Sequence, residues 1–235
     1  MKLKDLWAMG VFYLLVVSIF ISAAYLGSTV TSTMAERTPM EREHIIVIDP
    51  GHGGEDGGAT SVSGKTESTY NLEIALGLRD LLHLLGFETK MVRTVDQAVY
   101  TEGHTLAEKK SSDLKNRVKM VNDASHAILV SIHQNFFSDG RYHGAQVFYG
   151  PKGESQALAK ALQSAFCRTV NPGSNREIKK ADGIYLMQHI ECTGVLIECG
   201  FLSNPQEDAL LQTKEYQQRI NCVIAGTLSQ FLTDS

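Results

Sequence analysis

The chain has 235 residues, of which 43% are hydrophobic and 20% charged, and its formal net charge at pH 7 is −4. This length and apolar content suffice for one sizeable core, and the sequence contains no repeat or low-complexity segment. Because the chain is mildly acidic and lacks stretches of Lys and Arg interleaved with aromatic residues, we expect no nucleic-acid partner.

The N-terminal segment is strongly apolar. No charged residue occurs between Leu6 and Ala35, and residues 7–26 are predominantly apolar. This is about the length of twenty residues that a bilayer-spanning helix requires. Lys2 and Lys4 precede the segment, so the positive-inside tendency leaves the N-terminus in the cytoplasm and exports the rest of the chain.

The apolar stretch is longer than a usual signal sequence, which favours an uncleaved anchor. Small residues at 22–24 and 33–35 nevertheless leave signal cleavage open. The segment that follows is polar and without pattern, which is typical of a tether. We therefore predict a transmembrane anchor or signal segment at 1–26, a polar tether at 27–44 and an exported catalytic domain at 45–235.

Beyond the tether, apolar runs of strand length alternate with helical periodicities. This alternation predicts a three-layer α/β domain, in which a mostly parallel sheet is covered by helices on both faces. Residues 94–111 make a long loop, which we interpret as a flap facing a substrate or partner. Ser111 and Ser112 are the expected cap of the helix after it. In chain order we predict strands at 45–49, 87–93, 126–132, 144–149, 183–188 and 194–199, and helices at 69–85, 112–123, 154–170 and 213–232.

Three of the predicted strands end at a residue that can bind a metal or transfer a proton. His52 follows the first strand, His133 follows strand 126–132, and Glu198 lies at the end of strand 194–199. Ligands of open α/β sheets gather beyond the carboxyl ends of the strands, so we expect these side chains to share one cleft. Glu67 lies where the first helix begins, and the chain can loop back to place it beside His52.

Two histidines and two carboxylates provide what a catalytic zinc site requires, which is three protein ligands, an open position for water and a general base. We assign His52, Glu67 and His133 as ligands and Glu198 as the base. Taken singly, each residue is better explained as a loop, capping or helix-terminal residue. Their shared placement favours a site, because buried charges are costly without partners.

Other motifs support competing functions less well. Residues 59–66 are one substitution from a phosphate-binding P-loop, but no strand leads directly into them and nearby acidic residues would repel phosphate. No Gly-x-Ser-x-Gly motif supports serine hydrolysis. Among the remaining six histidines, His104 and His143 are weaker ligand alternatives because they lie in loops. The four cysteines are expected to be small buried hydrophobes, and a Cys192–Cys199 bridge stays open.

Five stretches together resemble the zinc-dependent N-acetylmuramoyl-L-alanine amidases of bacterial cell walls (amidase_3 type). The resemblance spans about residues 45–232, and it makes His52, Glu67 and His133 the zinc ligands and Glu198 the catalytic carboxylate. It also implies a six-stranded mixed sheet between helices. The stretches are Ile48–Gly54, Glu67 with Tyr70–Ala75, Asp113–Val118, Val130–Asn135 and Leu196–Pro205.

Finer features resemble the germination-specific spore-cortex branch of that family (CwlD type). They are the segment 181–188, the long loop 94–111, the N-terminal apolar segment and the lack of a wall-binding repeat. The resemblance implies that peptide side chains are removed from cortex muramic acid so that muramic-δ-lactam can form. Cortex muropeptides, the membrane and an activating or positioning protein are the partners expected in the extracytoplasmic forespore space.

Two alternatives remain from the sequence. The first is a zinc peptidase that cuts a different cell-wall amide. The second is a non-catalytic peptidoglycan-binding protein on the same fold, which the loss of a ligand or of Glu198 would have favoured.

Overall fold

The structure is a computed structural model, and it describes residues 44–234 together with the isolated positions 18 and 22. The chain divides into two units between Thr38 and Pro39, and residues 44–234 belong to the second. Apart from positions 18 and 22, the predicted anchor at 1–26 lies outside the described residues, as does nearly all of the predicted tether. Within the part of the chain that is described, no helix is both long and apolar enough to cross a bilayer.

Six strands and six helices alternate through residues 44–234. The strands are β1 (Ile45–Pro50), β2 (Glu88–Met91), β3 (Ala127–Asn135), β4 (Gln146–Tyr149), β5 (Lys179–Lys180) and β6 (Thr193–Phe201). The helices are α1 (Glu67–Leu84), α2 (Leu106–Asn122), α3 (Ser155–Thr169), α4 (Tyr185–His189), α5 (Pro205–Leu211) and α6 (Lys214–Asp234).

The strands form one sheet in the order β2-β1-β3-β6-β4-β5, in which only the β4–β6 pair is antiparallel. Alternate side chains of a strand point to opposite faces, so β1 contributes to two cores. Ile46 and Ile48 pack with α1, α3 and α6, while Val47 packs with α2 and α4. The predicted three-layer α/β class, with a mostly parallel six-stranded mixed sheet, is confirmed.

The predicted strand at 183–188 is wrong, because these residues enter helix α4. Leu186 and Met187 are buried in the core cluster on the α2 side of the sheet. A short apolar run fits a buried strand and a buried helical turn equally well, and periodicity cannot separate them. The sixth strand is instead the two-residue β5, which pairs with Phe148 and Tyr149 of β4.

Helix α2 begins six residues earlier than predicted, and the expected cap at Ser111 and Ser112 is wrong. Thr105 accepts the Glu108 N–H at 3.2 Å, and the Glu108 carboxylate accepts the Thr105 N–H at 3.0 Å. This reciprocal capping box starts the helix at Leu106. The loop before it is therefore shorter than the predicted 94–111.

Helix α5 was not predicted. Its cap is Asn204, whose side-chain oxygen accepts the N–H groups of Gln206 and Glu207, and Pro205 occupies the first helical position. The other predicted elements agree with the structure to within three residues at each end.

The sheet brings the carboxyl ends of β1, β3 and β6 to one edge because these strands run parallel. His133 and Glu198 are direct partners in the β3–β6 register and lie within the strands, close to their ends. One residue, Gly51, separates the end of β1 from His52. The edge formed by these three strands carries the candidate site.

Candidate metal centre

The His52 loop is a tight turn built by residues that can approach other groups closely. His52 itself has φ 60°, a left-handed conformation that is uncommon outside glycine. A Cβ added to Gly51 would lie 2.1 Å from Nε2 of His133. Gly51 therefore lets the His133 ring lie against the backbone next to His52, and the two ring centroids are 5.0 Å apart.

The Glu67 carboxylate lies between the two imidazoles. Its Oε2 is 3.2 Å from His52 Nε2, and its Oε1 is 2.9 Å from His133 Nδ1. Each residue offers one potential ligand atom, and these three atoms lie within 4.8 Å of one another. The structure thus brings together the three residues that the sequence predicted as ligands.

The first turn of α1 holds Glu67 in place. Its carboxylate also accepts the backbone N–H groups of Ala59 at 3.1 Å and Gln134 at 3.2 Å, and the Asn71 amide at 3.4 Å. Burial raises the pKa of Glu67, but the hydrogen bonds and charges of His133 and His52 outweigh it and hold the pKa far below its usual range. Glu67 is therefore an anion at every physiological pH.

Asp56 orients the His52 ring from the other side. Its Oδ2 lies 3.0 Å from His52 Nδ1, and its Oδ1 lies 2.9 Å from Lys110 Nζ. Burial lowers the pKa of His52, but the hydrogen bonds to Asp56 and Glu67 win and raise it to about 9. With Nδ1 facing a carboxylate, Nε2 is the atom directed at Glu67, which is the arrangement common behind metal-binding histidines.

Two buried arginines hold the backbone on either side of His52. Arg93 donates to the carbonyl oxygens of Pro50 at 2.9 Å and Gly51 at 3.0 Å. Arg117 donates to the carbonyl oxygens of Pro50 at 2.9 Å and His52 at 2.6 Å. These bonds satisfy the polar backbone of a buried loop and fix the conformation from which the His52 ring projects.

Asp49 holds Arg117 in turn. Its carboxylate accepts Arg117 Nη1 at 2.5 Å and the Ser131 hydroxyl at 2.6 Å, and both charged side chains are nearly inaccessible to solvent. Burial raises the pKa of Asp49, but Arg117 and Ser131 outweigh it and leave the pKa lowered. Asp49 thus supports the His52 loop through Arg117 and does not join the cluster.

Glu198 is the carboxylate that the structure leaves without a complete set of partners. It lines a cleft of about 380 Å³ together with His52 and His133. Its Oε2 is buried, with no hydrogen-bond partner among the described residues. Burial is the main cause that raises its pKa to about 7. A carboxyl group with this pKa can both accept and donate a proton near neutral pH.

The donor set fits a metal ion. Two imidazoles and a carboxylate are ligands that zinc accepts, and they converge beside a cleft that also receives Glu198. The two weaker histidine alternatives lie outside the cluster. The backbone N–H of His104 joins the α2 cap, and Nδ1 of His143 lies 3.1 Å from the Arg141 carbonyl oxygen.

The residue 59–66 turn has no features of a phosphate site. Lys65 forms an ion pair with Glu73 at 2.7 Å, and the backbone N–H of Ala59 is taken by Glu67. All four cysteines are free, and Cys192 and Cys199 pack in different core clusters. Only Cys199 is fully buried and Cys222 is exposed, so the expectation of four buried cysteines is wrong.

Sequence reasoning missed Arg93, Arg117 and Asp56 as supporting residues. Arg117 lies in the stretch Asp113–Val118 that carried the family resemblance, so the signal for it was present. Arg93 and Asp56 gave no such signal, because each acts on an atom of the folded loop and belongs to no periodic pattern.

An α/β sheet that brings two imidazoles and a carboxylate together at its carboxyl edge, next to a buried carboxyl group with a pKa near neutrality, fits the class of hydrolases. Comparison with known proteins specifies the family. Residues 46–230 match the Amidase_3 family, described as N-acetylmuramoyl-L-alanine amidase. The chain belongs to this family and is an N-acetylmuramoyl-L-alanine amidase, an enzyme that acts on peptidoglycan.

Relatives and solved structures agree. The chain is 39% identical over 193 residues to the germination-specific N-acetylmuramoyl-L-alanine amidase of Bacillus subtilis, covering 81% of this chain and 80% of that protein. The CwlD amidase from Clostridioides difficile, solved in complex with the GerS lipoprotein, is 37% identical with a TM-score of 0.78, covering 81% of this chain and 99% of that chain. An N-acetylmuramoyl-L-alanine amidase from Clostridium difficile 630 is 28% identical with a TM-score of 0.71, covering 83% and 99% of the two chains.

Proposed function

We propose that the amidase is zinc-dependent, with His52, Glu67 and His133 as the metal ligands and Glu198 as the general base. The observation that supports this proposal most directly is the Glu67 carboxylate within 3.2 Å of one nitrogen of each histidine, beside the cleft that Glu198 lines. When bound, zinc supplies a Lewis acid that polarises the scissile carbonyl and lowers the pKa of water towards 7.

The side chains of the protein carry out the proton transfers and position the proposed ligand His52. Glu198 takes the proton from the attacking water and passes it to the nitrogen of L-alanine as the amide bond to the lactyl group of N-acetylmuramic acid breaks. Its pKa near neutrality suits both steps. Asp56 holds the ring of His52, and Arg93 and Arg117 hold the loop that carries it.

We further propose spore-cortex peptidoglycan as the substrate. The support is the similarity to the germination-specific amidase of Bacillus subtilis. Removal of the peptide from cortex muramic acid frees the lactyl carboxyl group, which a later step can close to muramic-δ-lactam. We propose that the catalytic domain acts in the extracytoplasmic space around the forespore, to which the predicted N-terminal segment would export it.

A protein partner is part of this proposal. The CwlD amidase structure contains the GerS lipoprotein. By analogy, we propose that this chain acts with an activating or positioning protein in the same compartment. Copurification from sporulating cells tests this point, and recovery of the full chain alone after cross-linking would contradict it.

The activity is tested by digesting purified cortex and vegetative peptidoglycan with the protein and identifying the new amino terminus by mass spectrometry. We expect L-alanine, with cortex cut faster than vegetative wall, and no cleavage by the Glu198→Gln variant. Chelation should abolish turnover and added zinc should restore it. A different new amino terminus would instead support a peptidase that cuts another wall amide.

A further inference from the structure

Three side chains lie next to one another across the sheet, beginning at the edge that carries the candidate site. His133, Glu198 and Gln146 are successive partners in the registers of β3, β6 and β4. Residues directly opposite each other on paired strands share a face of the sheet. Gln146 therefore lies beside Glu198, at about the 4.8 Å that separates neighbouring strands.

Gln146 contacts Arg176, an arginine that forms no ion pair with any described residue. Nη1 of Arg176 donates to Gln146 Oε1 at 2.9 Å, and its Nε donates to the His143 carbonyl oxygen at 2.8 Å. Its guanidinium also lies 4.7 Å from the centre of the Phe201 ring. The arginine is half-buried and held on three sides, yet it forms no ion pair with any residue of 44–234.

The buried acidic residue in this region is Glu207. Burial raises its pKa and the charge of Arg176 lowers it, but no direct ion pair joins the two side chains. Glu207 accepts the backbone N–H groups of Gly144 at 2.9 Å and Phe201 at 2.7 Å. A partly desolvated guanidinium that is not directly paired with a carboxylate can bind one, because charge-assisted hydrogen bonds to it are strong.

The arginine lies in an open groove of about 870 Å³, which Tyr142, Gln146 and Ser174 also line. Tyr142 stacks on Phe201 with ring centroids 6.2 Å apart, so an aromatic surface continues from the guanidinium. The loop that carries Tyr142 is tied down, since Asn204 donates to the Gly140 carbonyl oxygen at 2.9 Å. The groove is therefore shaped before any ligand arrives.

We infer that this groove receives the peptide side chain of the substrate and that Arg176 binds one of its free carboxylates. The inference rests on the proposed function, because the peptide must leave the cleavage point beside Glu198. An extended peptide advances about 3.3 Å per residue. Arg176 lies just beyond the Gln146 side chain, so it is within reach of the second or third residue after the cut bond. It acts as a specificity-determining residue and takes no part in the proton transfers.

The test compares two soluble muropeptides that differ only in whether the carboxyl groups of the second and third peptide residues are free or amidated. We expect the wild-type protein to favour the free form by about tenfold to a hundredfold in kcat/KM, the range of a hydrogen bond to a charged group. The preference should appear mainly in KM. Arg176→Gln should lose it, and Arg176→Lys should recover part of it.

Arg79→Gln is the matched control. Arg79 lies on α1, outside the groove, and its guanidinium is already paired with Asp80 at 2.7 Å. Its replacement should leave the preference intact. A wild-type protein that cleaves both muropeptides equally, or an Arg176→Gln variant that keeps the preference, would overturn the inference while leaving the amidase function standing. If the zinc-loaded wild-type protein releases no L-alanine terminus from either muropeptide, it is the proposed function that fails.

Discussion

Single substitutions can distinguish the proposed role of Glu198, the general base, from that of the three proposed metal ligands. We expect Glu198→Ala to retain zinc while turnover falls at least about a hundredfold, because general acid–base catalysis contributes about 10²- to 10⁴-fold. His133→Ala should lose metal, since His133 belongs to the cluster of potential ligands. Zinc content by elemental analysis, together with turnover, checks both. Zinc loss in Glu198→Ala would make Glu198 a ligand, and unchanged zinc in His133→Ala would refute that assignment.

The raised pKa of Glu198 also predicts a pH-dependent cost in stability. The group has an ordinary pKa of 4.5 when the chain is unfolded and about 7 in the metal-free fold. The folded protein therefore binds more protons between these pH values, and its free energy of unfolding falls as pH rises through that window. A shift of this size corresponds to at most about 3 kcal/mol.

Urea unfolding of the wild-type protein and of Glu198→Gln, both with a chelator, measures this effect. The variant should become more stable than the wild type as pH rises from about 4.5 to about 7, and the difference should then level off. Because the two proteins differ at one group, other titrations cancel. A difference that is constant with pH would show that Glu198 titrates normally.

Two glycines with similar backbone conformations allow a steric clash at the site to be distinguished from backbone strain. Gly58 has φ 70°, and an added Cβ would lie 2.5 Å from Glu67 Oε2 and 2.8 Å from His52 Cδ2. Gly64 has φ 90° with nothing within 4 Å. Gly58→Ala should lower zinc affinity and turnover sharply, whereas Gly64→Ala should cost only about 1 kcal/mol of stability. Equal loss of activity in both variants would show that the clash of the new Cβ with Glu67 and His52 is not the cause.

His52 and His133 could be predicted to lie together because a ligand type and a strand end are both visible in the sequence. The residues that orient the His52 ring and hold its loop could not be predicted from the sequence. The Asp56 contact depends on the left-handed turn at His52, and the Arg93 contacts are made to carbonyl oxygens that every residue possesses. A hydrogen bond to a backbone oxygen leaves no residue-type pattern in the partner, so only the fold reveals it.

Helix α2 is joined to strand β1 by a buried ion pair, and this link is testable. Arg117→Met leaves Asp49 buried without its counterion, which costs about 3–5 kcal/mol when one partner of a buried pair is removed. The double variant Asp49→Asn with Arg117→Met should recover part of that loss. Urea unfolding measures each cost. Arg79→Met, which removes an exposed pair with Asp80, should change stability by less than about 1 kcal/mol.

The elements predicted well are those with a strong periodic or apolar pattern, and β1, β3 and β6 are examples. Helix α4 was predicted as a strand because Leu186 and Met187 lie in a short apolar run that has no period of its own. Helix α5 had readable signals in Asn204 and Pro205, an N-cap and an N1 proline, but the helix is only seven residues long. Short elements are decided by where the surrounding chain buries them.

At the scale of the whole molecule, we expect metal binding to stabilise the folded state. The proposed ligands come from the loop after β1, from α1 and from β3, so metal binding would tie together elements that are distant in sequence. A ligand that binds only the folded state stabilises it by about 2.7 kcal/mol at a free concentration 100 times its Kd. For a domain of this size, each kcal/mol raises Tm by about 2–4 °C.

Zinc should therefore raise the Tm of the wild-type protein and of Glu198→Gln by about 5–10 °C in scanning calorimetry, and it should barely change that of His52→Ala. The gain should also grow with pH. His52 has a pKa of about 9 in the metal-free protein, so below that pH zinc must displace its proton. Each displaced proton weakens apparent affinity about tenfold per pH unit of acidification. A zinc-induced Tm shift that is independent of pH between 6 and 9 would mean that His52 does not bind the metal as a neutral imidazole, and an equal shift in His52→Ala would remove it from the ligand set.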